Sequence, residues 1–229
     1  MLASAVDHVE PAGIAGEHLL DLDGQEVELV NEKRKFIARG IYNGYSRICV
    51  RLYSWSADEP LDEAFFRRRI EDAVHLRRRI NYLNDAQRAE SATRLVFSES
   101  DGISGLVVDQ YGDYLVVQPT ALGIAMRLEM IVALLQDLLR PRGIVLKLDA
   151  AMAKLEGMRQ RLGTDGDKSG SLNYADGHIW GELPELPLTI REHDIAYEVD
   201  LRGGQKTGFY LDQRENRLCA AKYLSGRRV

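Results

Sequence analysis

Residues 94–118 read RLVFSESDGISGLVVDQYGDYLVVQ. Three short apolar runs stand at Arg94–Glu99, Gly105–Asp109 and Tyr114–Gln118, and residues that favour turns separate them at 101–102 and 111–113. Short apolar runs joined by Gly-containing turns are typical of consecutive antiparallel strands. The stretch therefore predicts a three-stranded meander at the centre of the chain.

Helical periodicity flanks this meander on both sides. Apolar residues recur at helical spacing over Leu61–Asn84 and again over Leu122–Leu139, which predicts two amphipathic helices. A buried-type strand is predicted at Ile144–Leu148, and the polar, Gly-rich residues 150–177 predict a long loop.

Two arginines of the first predicted helix lie within its apolar stripe. At 100° per residue, Arg69 and Arg77 fall beside Phe66, Ile70 and Val74. A buried guanidinium needs a carboxylate partner, which Glu99 or Asp101 could supply. Alternatively, both stems lie along the edge of the core with their charged ends in water.

The two ends of the chain are also rich in predicted strands. Short strands with tight turns between Val27 and Tyr53 predict a small β-barrel, which ends before Pro60. Further strands are predicted at Ile179–Glu182, Leu188–Arg191 and Ile195–Val199. A last helix is predicted over Asp212–Leu224, with Asp212 as its N-cap and Leu218, Ala221 and Leu224 facing inward.

Composition limits the class of protein. The chain is 28% charged and 45% hydrophobic, its net charge is −5 and its pI is about 5.6, which argues against a nucleic-acid partner. No leader or membrane span is recognisable, so a cytoplasmic protein with no membrane contact is expected. However, residues 201–229 carry 7 basic and 2 acidic side chains, and residues 61–94 carry 8 and 6. Because phosphate neutralisation depends on local charge, these two blocks favour nucleic acid, unless they are solvated, ion-paired helix faces.

Metal and phosphate-loop motifs are incomplete. Two cysteines, Cys49 and Cys219, and five scattered histidines offer no ligand spacing, so no metal site is predicted. Residues 203–208 lack the glycine that a Walker loop places before its lysine. Residues Asp165–Asp176 partly fit a calcium loop, but no helix is predicted after them, and a polar loop is the preferred interpretation.

The segment Gly203–Arg217 concentrates polar side chains between a strand and a helix. Glycines allow close approach of the backbone, and the helix start offers free N–H groups. This arrangement is typical of a loop that binds a small ligand or a nucleotide.

Three motifs of this sequence resemble one known family. Residues 204–217, GQKTGFYLDQRENR, are similar to the signature of the RlmI-type ribosomal RNA 5-methylcytosine methyltransferases. Residues 94–113 resemble the strand-turn-strand segment of that family, which usually has Pro where Ser104 stands, and Glu156-Gly157 also fits. Residues 38–52 resemble the PUA-type barrel of the family.

The resemblance implies an α+β fold in three parts. These are a small PUA-like barrel over 1–58 that starts later than the family's, a mixed α/β domain over 61–190, and the entry segment of a Rossmann-like methyltransferase domain over 191–229. The implied activity of the whole protein is methyl transfer from S-adenosylmethionine to C5 of a cytosine in ribosomal RNA. The family's Gly-rich cofactor motif and its catalytic cysteines match no residue here and are expected beyond Val229, so no catalytic residue is predicted in this chain and it is expected to be inactive alone.

The resemblance also implies two sets of binding residues. The first set is a wall of the cofactor pocket: Lys206, Thr207, Gly208, Phe209, Asp212 and Arg214. The second set is the candidate contacts to RNA: Arg34, Lys35, Arg39, Arg47, Arg51, Arg67, Arg68, Arg78, Arg79 and Arg217. Arg214 could instead join Arg217 in binding RNA phosphate, and each candidate RNA contact could be only a solvated surface charge.

Two other functions compete with this interpretation. One is a stand-alone RNA-binding module without catalysis, and the other is a metabolic enzyme with its own ligand in the Gly203–Arg217 loop. Homodimer formation is left open by the sequence.

Overall fold

The computed structural model describes residues 22–80, 89–158, 176–193 and 195–224 of the chain. In these residues the strands form three sheets, and helices cover one face of the largest. The strands are β1 (Glu26–Val30), β2 (Phe36–Tyr42), β3 (Val50–Ser54), β4 (Ala92–Phe97), β5 (Leu106–Tyr111), β6 (Tyr114–Pro119), β7 (Gly143–Leu146), β8 (Ile179–Gly181), β9 (Leu188–Glu192) and β10 (Ile195–Val199). The helices are α1 (Glu63–Arg79), α2 (Leu122–Ala125), α3 (Leu128–Leu139), α4 (Ala150–Leu155) and α5 (Arg214–Leu224).

The predicted meander forms the centre of a five-stranded sheet with the order β4-β5-β6-β7-β8. Antiparallel pairing joins β4 to β5 and β5 to β6, whereas β6 and β7 are parallel and are connected through α2 and α3. A parallel pair needs a long crossover, and the two helices supply it.

Both faces of this sheet are buried. Leu115, Val117 and Ile144 point into a core shared with α1 and α3, whereas Tyr114 and Val116 point into a second cluster with the β9–β10 hairpin. Burial on two faces explains why β6 and β7 are almost uninterrupted apolar runs.

The N-terminal strands form a three-stranded antiparallel sheet with the order β1-β2-β3. Ile41 and Tyr53 of this sheet lie in the main core, where the Tyr53 ring contacts Phe65 and Phe66 of α1 edge-on at 6.4 and 6.2 Å. Gly123 of α2 has no room for a Cβ atom because Ile41 fills the space. The N-terminal sheet is therefore joined to the central domain by apolar packing.

Arg77 is inward, as predicted, and Asp101 is its partner. The Arg77 Nη1 and Nη2 atoms donate to the two Asp101 oxygens at 2.5 and 2.7 Å. Arg69 is only half-buried, and its guanidinium lies 5.2 Å from the centre of the Phe65 ring and 3.9 Å from the Glu59 carboxylate.

The prediction of one continuous helix over Leu122–Leu139 is wrong. The structure divides this segment into α2 and α3, with a break at residues 126–127. Arg127 has φ −105° and ψ 12°, and its Nη1 atom donates to the carbonyl oxygens of Gly24 and Gly123 at 2.8 and 3.0 Å. All four residues of α2 are buried, so the spacing of apolar residues does not reveal this break.

Three further local predictions are wrong. The loop predicted from residue 150 begins with α4, whose first turn is capped by the Asp149 carboxylate accepting from the Met152 N–H at 2.7 Å. The helix that forms in the segment predicted over Leu61–Asn84 does not include Ile80, which follows the end of α1 and is exposed. The last helix begins at Arg214, not Asp212, and Leu218, Ala221 and Leu224 are exposed rather than inward.

The predicted domain limits stay a prediction. The limit at 190–191 falls within β9, so the β9–β10 hairpin belongs to both predicted units. The end of the first predicted helix at Asn84 and most of the Asp165–Asp176 loop lie outside the described residues.

Candidate cofactor loop and RNA-facing surfaces

The signature motif forms a compact loop between β10 and α5. Gly204 lies against the Asp200 carbonyl, which leaves no space for a Cβ atom, and Gly208 has φ +124°. The Asp200 carboxylate accepts from the N–H groups of Gly203 and Arg202 at 3.0 and 2.8 Å, and these bonds lower its pKa. The glycines are thus required by the shape of the loop.

An exposed ion pair occupies the tip of the loop. The Lys206 Nζ atom lies 3.2 and 3.1 Å from the two Asp212 oxygens, and the two side chains are 40% and 41% exposed. Partial burial opposes ionisation of Asp212, but the hydrogen bond and the charge of Lys206 hold its pKa below the ordinary value. The Lys206 ammonium also lies 4.3 Å from the centre of the Tyr210 ring. Because exposed ion pairs are weak, a ligand could replace either partner.

Thr207 is fully buried, in contrast to Lys206 beside it. Its hydroxyl donates to Asp109 Oδ2 at 2.5 Å and lies 3.1 Å from the Tyr111 hydroxyl. Burial raises the pKa of Tyr111, so this phenol stays protonated. The side chain of Thr207 has no surface for a cofactor, and its implied role as a direct contact does not fit the geometry.

Arg94 and Asp109 extend this network into the central sheet. Arg94 Nε and Nη2 each donate to one Asp109 oxygen at 2.8 Å. Asp109 is fully buried, and it interrupts the apolar run of β5. Sequence reasoning missed both residues, although a carboxylate within a buried strand indicates a buried partner.

The remaining loop residues are held by aromatic and ionic contacts. Phe209 is half-buried against Tyr197, with ring centres 5.0 Å apart, and the Arg217 guanidinium lies 4.5 Å from the Phe209 ring. Arg217 also donates to both Glu192 oxygens at 2.7 and 2.6 Å, and Glu192 raises its pKa. Arg214 begins α5 and is half-buried. These contacts favour a structural role for Arg217 over the implied contact with RNA.

The candidate RNA contacts of the N-terminal sheet lie at two different ends. Arg34 and Lys35 stand in the β1–β2 turn and Arg47 stands in the β2–β3 turn, and all three are exposed. Consecutive antiparallel strands place these two turns at opposite ends of the sheet. A straight RNA backbone that runs along one end of the sheet would therefore not contact both turns.

Arg39 and Arg51 are engaged within the protein. Arg39 pairs with Glu26 and Glu28 at 3.2 and 2.7 Å. Arg51 donates to the buried Glu156 carboxylate at 3.0 Å. Both guanidinium groups thus have structural partners that compete with RNA.

The arginines of α1 divide in a similar way. Arg67 pairs with Asp137 at 2.5 Å, and Arg68 pairs with Glu59. Arg78 and Arg79 lie exposed in the last turn of the helix. Their exposure makes both side chains accessible to an external anion.

Metal binding finds no support in the residues that the structure describes, which contain no group of three His, Cys, Asp or Glu side chains able to hold an ion. Asp176, which belongs to the calcium-like stretch Asp165–Asp176 and lies among the described residues, accepts from the Leu148 N–H at 2.7 Å. Cys49 is buried and Cys219 is exposed. Across the same residues, every helix is too short or too polar to cross a bilayer.

Comparison with known proteins identifies the relatives of this chain. A family model described as a PUA-like domain matches residues 7–55. The protein named Ribosomal RNA large subunit methyltransferase I from Aeromonas hydrophila is 36% identical over 209 residues. The protein of the same name from Klebsiella pneumoniae is 34% identical over 206 residues. The predicted family resemblance is confirmed.

These homologues are longer than this chain. The two alignments cover 91% and 90% of the chain but 48% and 47% of the relatives. The chain thus spans about half the length of the curated relatives it matches. The structure describes every residue of the signature motif, residues 204–217, on which the family resemblance was predicted.

Solved structures confirm the predicted α+β fold. The crystal structure of SMU.776 complexed with SAH matches 87% of this chain and 45% of that chain with a TM-score of 0.67 at 21% identity. A solved structure of a Streptococcus mutans protein matches 86% of this chain and 46% of that chain with a TM-score of 0.66 at 22% identity.

Proposed function

We propose that this chain is the RNA-binding and central part of an S-adenosylmethionine-dependent ribosomal RNA methyltransferase that acts on C5 of cytosine. The observation that carries the proposal is the signature loop, which is held by the buried hydrogen bonds of Thr207 and presents Lys206 and Asp212 to solvent. Homology to the ribosomal RNA methyltransferases over 90% of the chain supports the same function.

The exposed residues of the loop suit the amino-acid end of S-adenosylmethionine. That end carries a carboxylate and an ammonium group, which are complementary to Lys206 and Asp212. Gly204 and Gly208 let a ligand approach the backbone closely. We therefore assign Lys206, Gly208 and Asp212 to one wall of the cofactor site, with Phe209 and Arg214 behind them.

The bound cofactor would supply an electrophilic methyl group. The reaction proposed for the whole protein also needs a cysteine that adds to C6 of the cytosine and so activates C5, on a base that is unpaired or flipped out. Cys49 is buried in the N-terminal sheet and Cys219 lies on α5, and neither matches the family's catalytic cysteines. We propose that the nucleophile lies outside these 229 residues.

Two experiments on separate activities test this assignment. The chain of residues 1–229 is expected to bind ribosomal RNA with an affinity that falls as salt rises, because Arg34, Lys35, Arg47, Arg78 and Arg79 are exposed cations. The same preparation is expected to transfer no methyl group from labelled S-adenosylmethionine to that RNA. Turnover by the chain alone would contradict the second expectation, and RNA binding that is indifferent to salt would contradict the first.

The cofactor wall is tested in the native gene product by calorimetric titration with S-adenosylmethionine. Lys206→Ala and Asp212→Ala are each expected to weaken binding about tenfold to a hundredfold, since each removes a charge-assisted hydrogen bond. Lys154→Ala and Asp72→Ala, which alter exposed charges on other helices, serve as matched controls and should leave affinity unchanged. If the two loop variants bind as tightly as these controls, the loop is not the cofactor wall.

A further inference from the structure

A chain of polar groups, of which Arg94 is half-buried and the others are buried, connects the central sheet to the signature loop. It runs from Arg94 on β4 through Asp109 on β5 to Thr207, and Tyr111 contacts Thr207 from the same strand as Asp109. Thr207 and Asp109 are 0% exposed. A network of this kind is costly to bury unless each member is satisfied, so its position beside the loop calls for a physical explanation.

The direction of each hydrogen bond in the network follows from the donors available. The ionised Asp109 carboxylate only accepts, so the single proton of the Thr207 hydroxyl is donated to it. The Tyr111 hydroxyl must then donate to Thr207 Oγ1. Asp109 receives two further bonds from Arg94, one at each oxygen. The side chain of Thr207 is thereby fixed in one orientation by two strand residues.

The backbone on either side of Thr207 adopts conformations that need such support. Lys206 has φ +53°, which is unfavourable for a residue with a side chain, and Gly208 has φ +124°. A second attachment comes from Lys147, the residue that follows β7, because its Nζ atom donates to the carbonyl oxygens of Arg202 and Gly204 at 2.6 and 3.2 Å. The loop is therefore attached to the central sheet at its start and at its middle.

We propose that Arg94, Asp109, Tyr111 and Thr207 are positioning residues that fix the signature loop in the form that presents Lys206 to a ligand. Thr207 acts through the shape of the loop and touches no cofactor. This inference rests on the proposed function for the identity of the ligand, but the fixing of the loop is a property of the chain itself. The central domain therefore does more than link two other domains. Side chains of its sheet determine the conformation of the loop that forms the cofactor wall.

Hydrogen exchange of this chain tests the fixing directly. Thr207→Val keeps the shape of the side chain and removes the hydroxyl, and is expected to accelerate exchange of the amides in residues 203–210 about tenfold. Thr207→Ser keeps the hydroxyl and should restore the slow exchange. Thr93→Val, at another buried threonine on β4, is the matched control and should leave the loop unchanged.

A second pair of variants separates loop fixing from general stability. Asp109→Asn and Asp101→Asn each damage a buried carboxylate that receives a two-pronged bond from arginine. Only Asp109→Asn should accelerate exchange in the loop beyond the rest of the sheet. Unchanged loop exchange in Thr207→Val, or equal acceleration in Thr93→Val or Asp101→Asn, would overturn the proposal.

The affinity of the native gene product for S-adenosylmethionine distinguishes the positioning role of Thr207 from the proposed cofactor wall. We expect Thr207→Val to weaken binding about tenfold and Thr207→Ser to bind normally. If Lys206→Ala weakens binding and Thr207→Val does not, the positioning role is wrong while the cofactor wall stands. If neither variant changes affinity but exchange responds as expected, the loop is fixed as described and the proposed ligand is wrong.

Discussion

Replacing Glu156 by alanine is expected to lower the free energy of unfolding by about 3–5 kcal/mol, because it removes one side of a buried charged network. Glu156 is 3% exposed. Its Oε1 atom accepts from Ser46 Oγ at 2.8 Å and from Arg51 Nη2 at 3.0 Å. Its Oε2 atom accepts from Asn43 Nδ2 at 2.9 Å and from the N–H at the start of α2 at 3.3 Å. Urea unfolding of the chain, followed by circular dichroism, measures the change.

The size of this effect follows from where the four donors come from. Asn43, Ser46 and Arg51 belong to the N-terminal sheet and its turns, whereas Leu122 begins a helix of the central domain. Without the carboxylate, the largely buried Arg51 guanidinium loses its nearer counter-charge and keeps Glu99, which lies 3.5 Å away and is mostly exposed. Glu182→Ala, which removes an exposed partner of Arg142, is the control and should cost less than about 1 kcal/mol. An equal loss in the two variants would refute this role of Glu156.

Local patterns predicted most of the strands for a physical reason. The meander of β4, β5 and β6 depends on alternating apolar residues and on turns at Gly102 and Gly112, both of which have positive φ. Such signals lie within a few residues of one another, so the strands can be predicted from the local sequence. The loop at residues 203–208 could be predicted for the same reason, because glycines and polar residues are concentrated there.

Long-range partners were not predictable in the same way. Thr207 and Asp109 are 98 residues apart, and Glu156 lies 113 residues from Asn43. Nothing in either local sequence specifies the other residue, because tertiary packing brings them together. The exposed apolar side of α5 was mispredicted for a related reason: amphipathic spacing predicts a buried stripe whether or not the described residues supply a partner.

The partner of Arg77 could be narrowed from the sequence because helix phase constrains it. Phase placed Arg77 in the apolar stripe of α1, and a buried guanidinium requires an anion, which left Glu99 or Asp101. Asp101 is the residue that lies in reach, and its Oδ2 atom also accepts from the Phe97 N–H at 2.6 Å. Glu99 instead accepts from Ser104 Oγ at 2.6 Å. Partial burial by itself raises the pKa of Glu99, but the hydrogen bond from Ser104 and the other interactions of the carboxylate lower it below its ordinary value.

Arg77→Met is accordingly expected to destabilise the chain by about 3–5 kcal/mol, because it leaves the Asp101 carboxylate buried without its cation. The variant also removes the donor to the Arg94 carbonyl oxygen, which Arg77 Nε contacts at 3.0 Å. Arg79→Met alters an exposed arginine in the same helical turn and should change the free energy of unfolding by less than about 0.5 kcal/mol. Chemical unfolding of the two variants under identical conditions gives the comparison.

The double variant Arg77→Met/Asp101→Leu separates the pair from its surroundings. Replacing both charges with apolar side chains removes the unpaired buried ion, so the double variant should lose less stability than the sum of its two single variants. The difference is expected to exceed about 1 kcal/mol for groups in direct contact. Additive losses would mean that the two residues act independently, and the ion pair would then not be what holds α1 against the turn at residues 98–101.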